Sequence, residues 1–169
     1  MIDVEYARLM ARYNRWMNQQ LYRHCAALSD QTRKQDRGAF FKSIHGTLNH
    51  LLYGDIAWLY RFTGRALDGL DPHAGLYDDF VALSQRRATL DEELIAWVET
   101  LDAQWLAADF DYYSQAYRQR FTRPAWTLLV HLFNHQTHHR GQITTLLRQL
   151  GIDPGITDLP MLPDFENPR

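Results

Sequence analysis

The chain has 169 residues and a formal net charge of −2, enough length for one domain with a sizeable core and no charge excess that would point to nucleic acid or an anionic membrane as a partner. Hydrophobic residues at 46% and charged residues at 22% are the balance of a globular fold in water. One cysteine, Cys25, excludes an internal disulfide and fits a reducing compartment; with no signal-like start and no apolar run able to span a bilayer, the expected location is cytoplasmic.

Residues 4–28 carry apolar side chains at helical spacing: Tyr6, Leu9, Met10, Tyr13, Trp16, Met17, Leu21 and Leu28. Arg8, Arg12, Arg15 and Asn18 fill the other faces, so the stretch predicts a long amphipathic helix. Cys25 lies within this pattern with no second thiol in the chain, which favours a packed or surface thiol over a nucleophile. Ser29 and Asp30 open a polar connection that continues through Gly38.

A second helix is predicted over 40–62, with Ile44, Leu48, Leu51, Leu52, Leu59 and Phe62 as its core face. Ser43, Thr47, His50, Gly54 and Ala57 form a separate stripe, small and polar with one large ring in its middle. Such a stripe suits a bundle helix lining a site, or equally a close helix–helix contact with His50 at its margin. Residues 64–75 read as a loop, with Gly64, Gly69, Asp71-Pro72 and Gly75 as its turn signals and His73 solvated within it. A third helix is predicted over 78–105, burying Phe80, Leu83, Leu90, Leu94, Trp97 and Leu101 and turning Arg86, Arg87, Glu92, Glu93 and Glu99 to water. Residues 110–121, aromatic with interleaved polar positions, break the helical rhythm and read as two short strands or an irregular arm.

The last helix is predicted over 124–151, with Pro124 at its first position and Gly151 past its last turn. Trp126, Leu129, Val130, Phe133, Ile143, Leu147 and Leu150 give it a core side. His131, His135, His138 and His139 crowd into nine residues of it. His135 and His139, four apart, leave one face a turn from each other, the geometry in which two imidazoles can hold one transition metal. The proline-rich tail after Gly151 is no helix, but Leu159, Met161 and Leu162 could dock on the bundle.

Together these elements predict one all-α domain over 1–169: a four-helix bundle, up-down-down-up given its long third connection, with a short hairpin-like or irregular insert before the last helix. In a bundle, His50 can join His135 and His139 near the axis. Three imidazoles with open positions suit a catalytic metal more than a structural one, without choosing among zinc, nickel, copper and iron. The chain has no His-Glu-x-x-His, no Glu-x-x-His and no phosphate-binding glycine loop, so a zincin, a di-iron carboxylate bundle and a nucleotide site are not indicated. Asp55, Asn134 and Gln142 are candidates for contacts to the ligands or the substrate. Trp16, Trp58, Trp97, Trp105 and Trp126 exceed what one bundle interior would hide, which predicts a homodimer.

Two stretches carry a resemblance that covers nearly the whole chain. Phe41-Lys-Ser43-Ile-His-Gly-Thr47-Leu-Asn-His50 with Asp55-x-x-Trp58-Leu-x-Arg61, followed by Asn134-His135-x-x-x-His139-Arg140-Gly141-Gln142 and Thr157-Asp158-Leu-Pro160, resembles the DinB family of DNA-damage-inducible-type proteins, within the wider DinB/YfiT-like group of metalloenzymes. The resemblance implies a four-helix bundle, a tendency to dimers and a divalent-metal site (zinc, nickel or iron) with His50, His135 and His139 as ligands. It leaves His45, His131 and His138 outside the triad. Related members look like transferases or isomerases that use low-molecular-weight thiols. The expectation is therefore a metal-dependent enzyme acting on a small molecule by thiol S-transferase-like or hydrolase-like chemistry. The alternative is a non-enzymatic, metal-stabilised stress-response or binding module, marked by a fourth position closed by His131 or a carboxylate.

Overall fold

The computed structural model describes residues 2–67, 69, 75–115 and 117–165; His73 lies outside them. Its long helices are α1 (Val4–Ala26), α3 (Ile44–Phe62), α4 (Phe80–Val98) and α6 (Ala125–Gln149), with short helices α2 (Asp30–Lys34) and α5 (Ala103–Ala107) between them. A hairpin of β1 (Asp109–Ser114) and β2 (Gln119–Pro124) precedes α6, pairing antiparallel from Asp109↔Pro124 to Ser114↔Gln119. No helix among the described residues is long and apolar enough to cross a membrane.

Side-chain caps decide several helix starts. Asp3, Ser43 and Asp79 each accept a hydrogen bond from the backbone N–H three residues on, at 2.8, 3.0 and 2.7 Å, satisfying donors that a helix start leaves free. The expected start of the second helix at 40 is corrected by this chemistry: Lys42 has φ 65°, outside the helical region, and Ser43 caps a helix that begins at Ile44. The third helix likewise stops at Val98 rather than 105. Asp102 accepts from the Trp105 N–H at 2.7 Å and starts α5 as a separate element. Ser29 caps α2 within the segment expected to be a polar connection. Pro124 sits at the N-cap of α6, one residue before the position expected.

Cross-helix pairs give the topology. Arg8 meets Glu99 and Arg15 meets Glu92, so α1 and α4 run antiparallel. Asp55 meets Arg87 and Arg65 meets Glu93, so α3 and α4 run parallel. His50 meets His135 and Trp58 meets His131, so α3 and α6 run antiparallel. The path is up-down-down-up.

Leu21, Ile44, Leu48, Leu52, Leu59, Leu83, Leu90, Leu129, Phe133, Ile143 and Leu147 form the apolar centre. A buried polar line crosses it. Arg87 bonds Asp55 at 2.6 Å and Asp91 at 2.8 Å, Asn18 donates to Asp91 at 2.9 Å, and Arg140 donates to Asn14. Asn18 was expected on a face away from the apolar stripe, Arg87 to face water and Asp55 to contact a ligand or the substrate; all three are instead buried here. Burial pushes the Asp55 carboxyl up to about 6, with Arg87 only partly opposing it.

Cys25 is a packed thiol whose burial pushes its pKa up to about 12. Leu162 docks with Tyr13 and Met17, whereas Met161 stays exposed. Trp97 stacks on Phe62, Trp105 meets both edge-on, and Phe110 of the hairpin packs against Phe62 and Trp105. The hairpin thus covers, within one chain, several of the rings that motivated the homodimer.

Candidate metal centre

The site lies where α3 and α6 face each other. His50, His135 and His139 bring one ring nitrogen each within 4.8 Å of one another. Nε2 of His50 and Nε2 of His135 are 3.1 Å apart, and the His139 ring centre lies 4.5 Å from each of theirs. Among the described residues this is the one group of three such donors so placed.

Two glycines make the convergence fit. A Cβ on Gly54 would stand 2.7 Å from Cε1 of His135, so only glycine leaves room for that ring. A Cβ on Gly46 would stand 2.2 Å from the Phe41 carbonyl oxygen. Gly46 thereby admits the 39–43 turn, and Phe41 stacks on His50 with ring centres 3.7 Å apart.

Gln142 is the contact to a ligand that the sequence reading anticipated. Its Oε1 lies 2.7 Å from Nδ1 of His139, so it accepts the Nδ1 proton and leaves the Nε2 lone pair of His139 free for the cluster. Nδ1 of His50 and of His135 are buried without a protein partner. Burial lowers all three imidazoles, and neighbouring rings deepen each shift: His50 falls to about 4 with His139 beside it, His135 to about 3 among the other rings, and His139 is lowered further by His138. For His139 the Gln142 bond opposes the fall. Neutral rings with converging lone pairs are the form a metal requires. The residues therefore fit a divalent transition metal.

The other histidines fall outside this point. His45 bonds the Tyr77 carbonyl at 2.8 Å, alongside Asn49, which bonds both the Tyr77 N–H and carbonyl; its work is to hold a loop. His138 is exposed, on the flank of His139. His131 packs edge-on against Trp58, its ring centre 6.0 Å from that of His135. Of the other two contact candidates, Asp55 is committed to Arg87 and Asn134 is exposed.

A cavity of about 780 Å³ opens beside the cluster under the hairpin. His50 and His135 stand at one end of its wall, with Trp58, Arg61, Tyr112 and His131 further along. Sequence reasoning found the triad but not this wall, because the hairpin's closure over α3 and α6 leaves no periodic mark.

A four-helix bundle that focuses imidazoles from two antiparallel helices on one point is of the class that can bind metal in its core. Family comparison agrees: the chain belongs to the DinB family, whose model matches residues 1–169. It is 26% identical over 174 aligned positions to Protein DinB of Bacillus subtilis strain 168, covering 91% of each chain. A shorter match, 40% identical over 62 residues and 36% of each chain, is to the uncharacterized protein YrdA of the same organism. Among solved structures, YfiT from Bacillus subtilis superposes with TM-score 0.65 at 18% identity, covering 90% of this chain and 92% of that one. A DinB-like protein from Bacillus cereus ATCC 10987 superposes with TM-score 0.59 at 20% identity, covering 83% and 90%. These structures share the fold.

Proposed function

We propose that the protein is a metal-dependent enzyme that acts on a small molecule, with His50, His135 and His139 holding one divalent transition metal. The observation that carries this reading is the convergence of one ring nitrogen from each of three imidazoles within 4.8 Å beside a cavity of about 780 Å³. YfiT, which shares the fold, is described as a probable metal-dependent hydrolase, and this supports the same broad class here. When bound, the metal supplies Lewis acidity and lowers the pKa of a coordinated water or thiol.

The chain's own residues do the rest. Gln142 fixes the His139 tautomer. Phe41 shields one face of His50 from water, and Gly54 seats His135. Among the described residues neither His131 nor a carboxylate joins the three donors, which favours an open catalytic site over a closed structural one. Hydrolase-like chemistry, thiol S-transferase-like chemistry with a low-molecular-weight thiol, and a homodimer are parts of this proposal.

The test is metal analysis of protein made without a histidine tag, followed by assays of the metal-loaded form for hydrolysis and for thiol transfer. One equivalent of metal per chain and turnover abolished by His139→Ala are expected. A protein that binds no transition metal, or one that binds it but shows neither activity, would overturn the enzyme reading. Light scattering at a monomer mass would remove the dimer.

A further inference from the structure

Arg61 belongs to the resemblance motif, yet the metal reading gives it no role. On α3 it continues the stripe of His50, Gly54 and Ala57, at helical spacing toward the far end of the same cavity. Its Nε is buried with no hydrogen-bond partner. Its guanidinium lies over aromatic rings instead, 4.9 Å from the centre of Trp58 and 5.9 Å from that of Tyr112. No carboxylate among the described residues pairs with it. The neighbouring arginines differ: Arg65 meets Glu93 at 3.3 Å, and buried Arg87 holds two aspartates.

The charged side chains beside Arg61 in this cavity are arginines among the described residues, while Asp111 shares a smaller pocket of about 250 Å³ with Arg61. Among the described residues Arg61, Arg118 and Arg123 line the cavity and no Asp or Glu does, although the chain as a whole is negative. A half-buried cation without a counter-ion is costly unless something completes it. Burial lowers the Arg61 pKa, as an uncompensated charge requires, but a guanidinium stays protonated throughout the working range.

We propose that this end of the cavity binds the anionic group, a carboxylate or a phosphate monoester, of an elongated small molecule whose other end reaches the three histidines. Arg61 is its binding residue. A guanidinium offers a planar fork of donors that matches either anion. At about 1.5 Å per residue, the backbone of Arg61 lies roughly 16 Å along α3 from that of His50, and with Trp58 and His131 placed between the guanidinium and the three histidines an elongated molecule suits the two ends. Trp58 and Tyr112 line the cavity beside the guanidinium and suit an apolar part of the molecule. This assignment of substrate class rests on the metal-enzyme reading.

The experiment uses full-length protein and three probes: phenylbutyrate, phenethyl phosphate and the uncharged phenylbutyramide. Each is titrated by calorimetry into a His50→Ala/His139→Ala variant kept in chelator, so that no metal can capture the anion. At least one acid should bind, more tightly than the amide. Arg61→Gln should weaken that acid at least tenfold and leave the amide unchanged, with Arg61→Lys in between and the arginine Nε–H resonance of Arg61 moving on titration. The tighter acid names the anion. Equal binding of acid and amide, indifference to Arg61→Gln, or no binding of either acid at millimolar concentration would overturn the proposal. Zinc titration of wild type is run alongside. Failure of zinc binding with the Arg61 effect intact removes the metal reading alone, and the reverse result removes the anion site alone.

Discussion

Gly54 and His135 share one volume: a Cβ on the glycine would stand 2.7 Å from Cε1 of the histidine ring. The space in α3 is thus filled by a side chain of α6. Gly54→Ala sets two effects against each other. Alanine is the better helix former by about 0.8–1.0 kcal/mol, but its methyl must push the imidazole off the point where three rings meet. The expected result is a folded, helical variant whose metal affinity falls at least tenfold, read by calorimetry and dichroism together. Unchanged affinity would mean that His135 does not need its observed position.

Gln142 acts on the site through His139. Gln142→Ala removes the acceptor 2.7 Å from Nδ1, and loss of such an orienting partner typically costs about 10–100-fold in metal affinity. Gln142→Glu keeps an acceptor and should retain most of the binding. If both variants bind metal like wild type, the Gln142 contact does not set the ligand's tautomer.

The pH dependence of the metal-free protein follows from the depressed imidazoles. His50 at about 4 and His135 at about 3 lie below the ordinary value near 6.5 of an unfolded chain. Below about 6.5 the unfolded state takes up protons that the folded state refuses. Their contribution to stability is therefore full above that pH and is lost as pH falls toward the folded values. Asp55, raised to about 6, works in the opposite sense, its contribution full below the unfolded carboxylate range and lost as pH rises through 6. Urea unfolding in chelator at pH 7 and pH 5 should show a smaller loss on acidification for His50→Ala/His135→Ala than for wild type. Equal losses would show that these rings titrate normally.

Arg87 is a cation buried in the core, with Asp55 at 2.6 Å and Asp91 at 2.8 Å. Arg87→Met strands two carboxylates in an apolar interior, and breaking a buried pair in this way costs about 3–5 kcal/mol. Urea unfolding near neutral pH should show a loss of that size. A loss within that of an ordinary surface substitution would mean that water reaches the aspartates.

The bundle and the triad were legible because both rest on periodicity. Leu48, Leu52 and Leu59 mark a face of α3 by their spacing, and His135 with His139 marks one of α6. The up-down-down-up path followed from loop length. Asn14, Asn18, Arg87, Asp91 and Arg140 were not legible, since their burial depends on partners from other helices and each alone resembles a solvent-facing residue. The starts at Ile44 and Ala103 turned on Ser43 and Asp102 as caps, single residues against a continuous apolar rhythm. The Arg61 wall needed the hairpin's position, which no local pattern encodes.

The central claim is that His50, His135 and His139 form one metal site, and zinc titration of single variants tests it most directly. His139 is buried and faces the cluster, whereas its neighbour His138 is exposed, and consecutive helical residues point about 100° apart. Calorimetry, with folding checked by dichroism, should show affinity falling at least tenfold in His50→Ala, His135→Ala and His139→Ala and staying near wild type in His138→Ala. Unchanged affinity in His50→Ala, or a graded loss shared equally by His138→Ala and His139→Ala, would contradict the account.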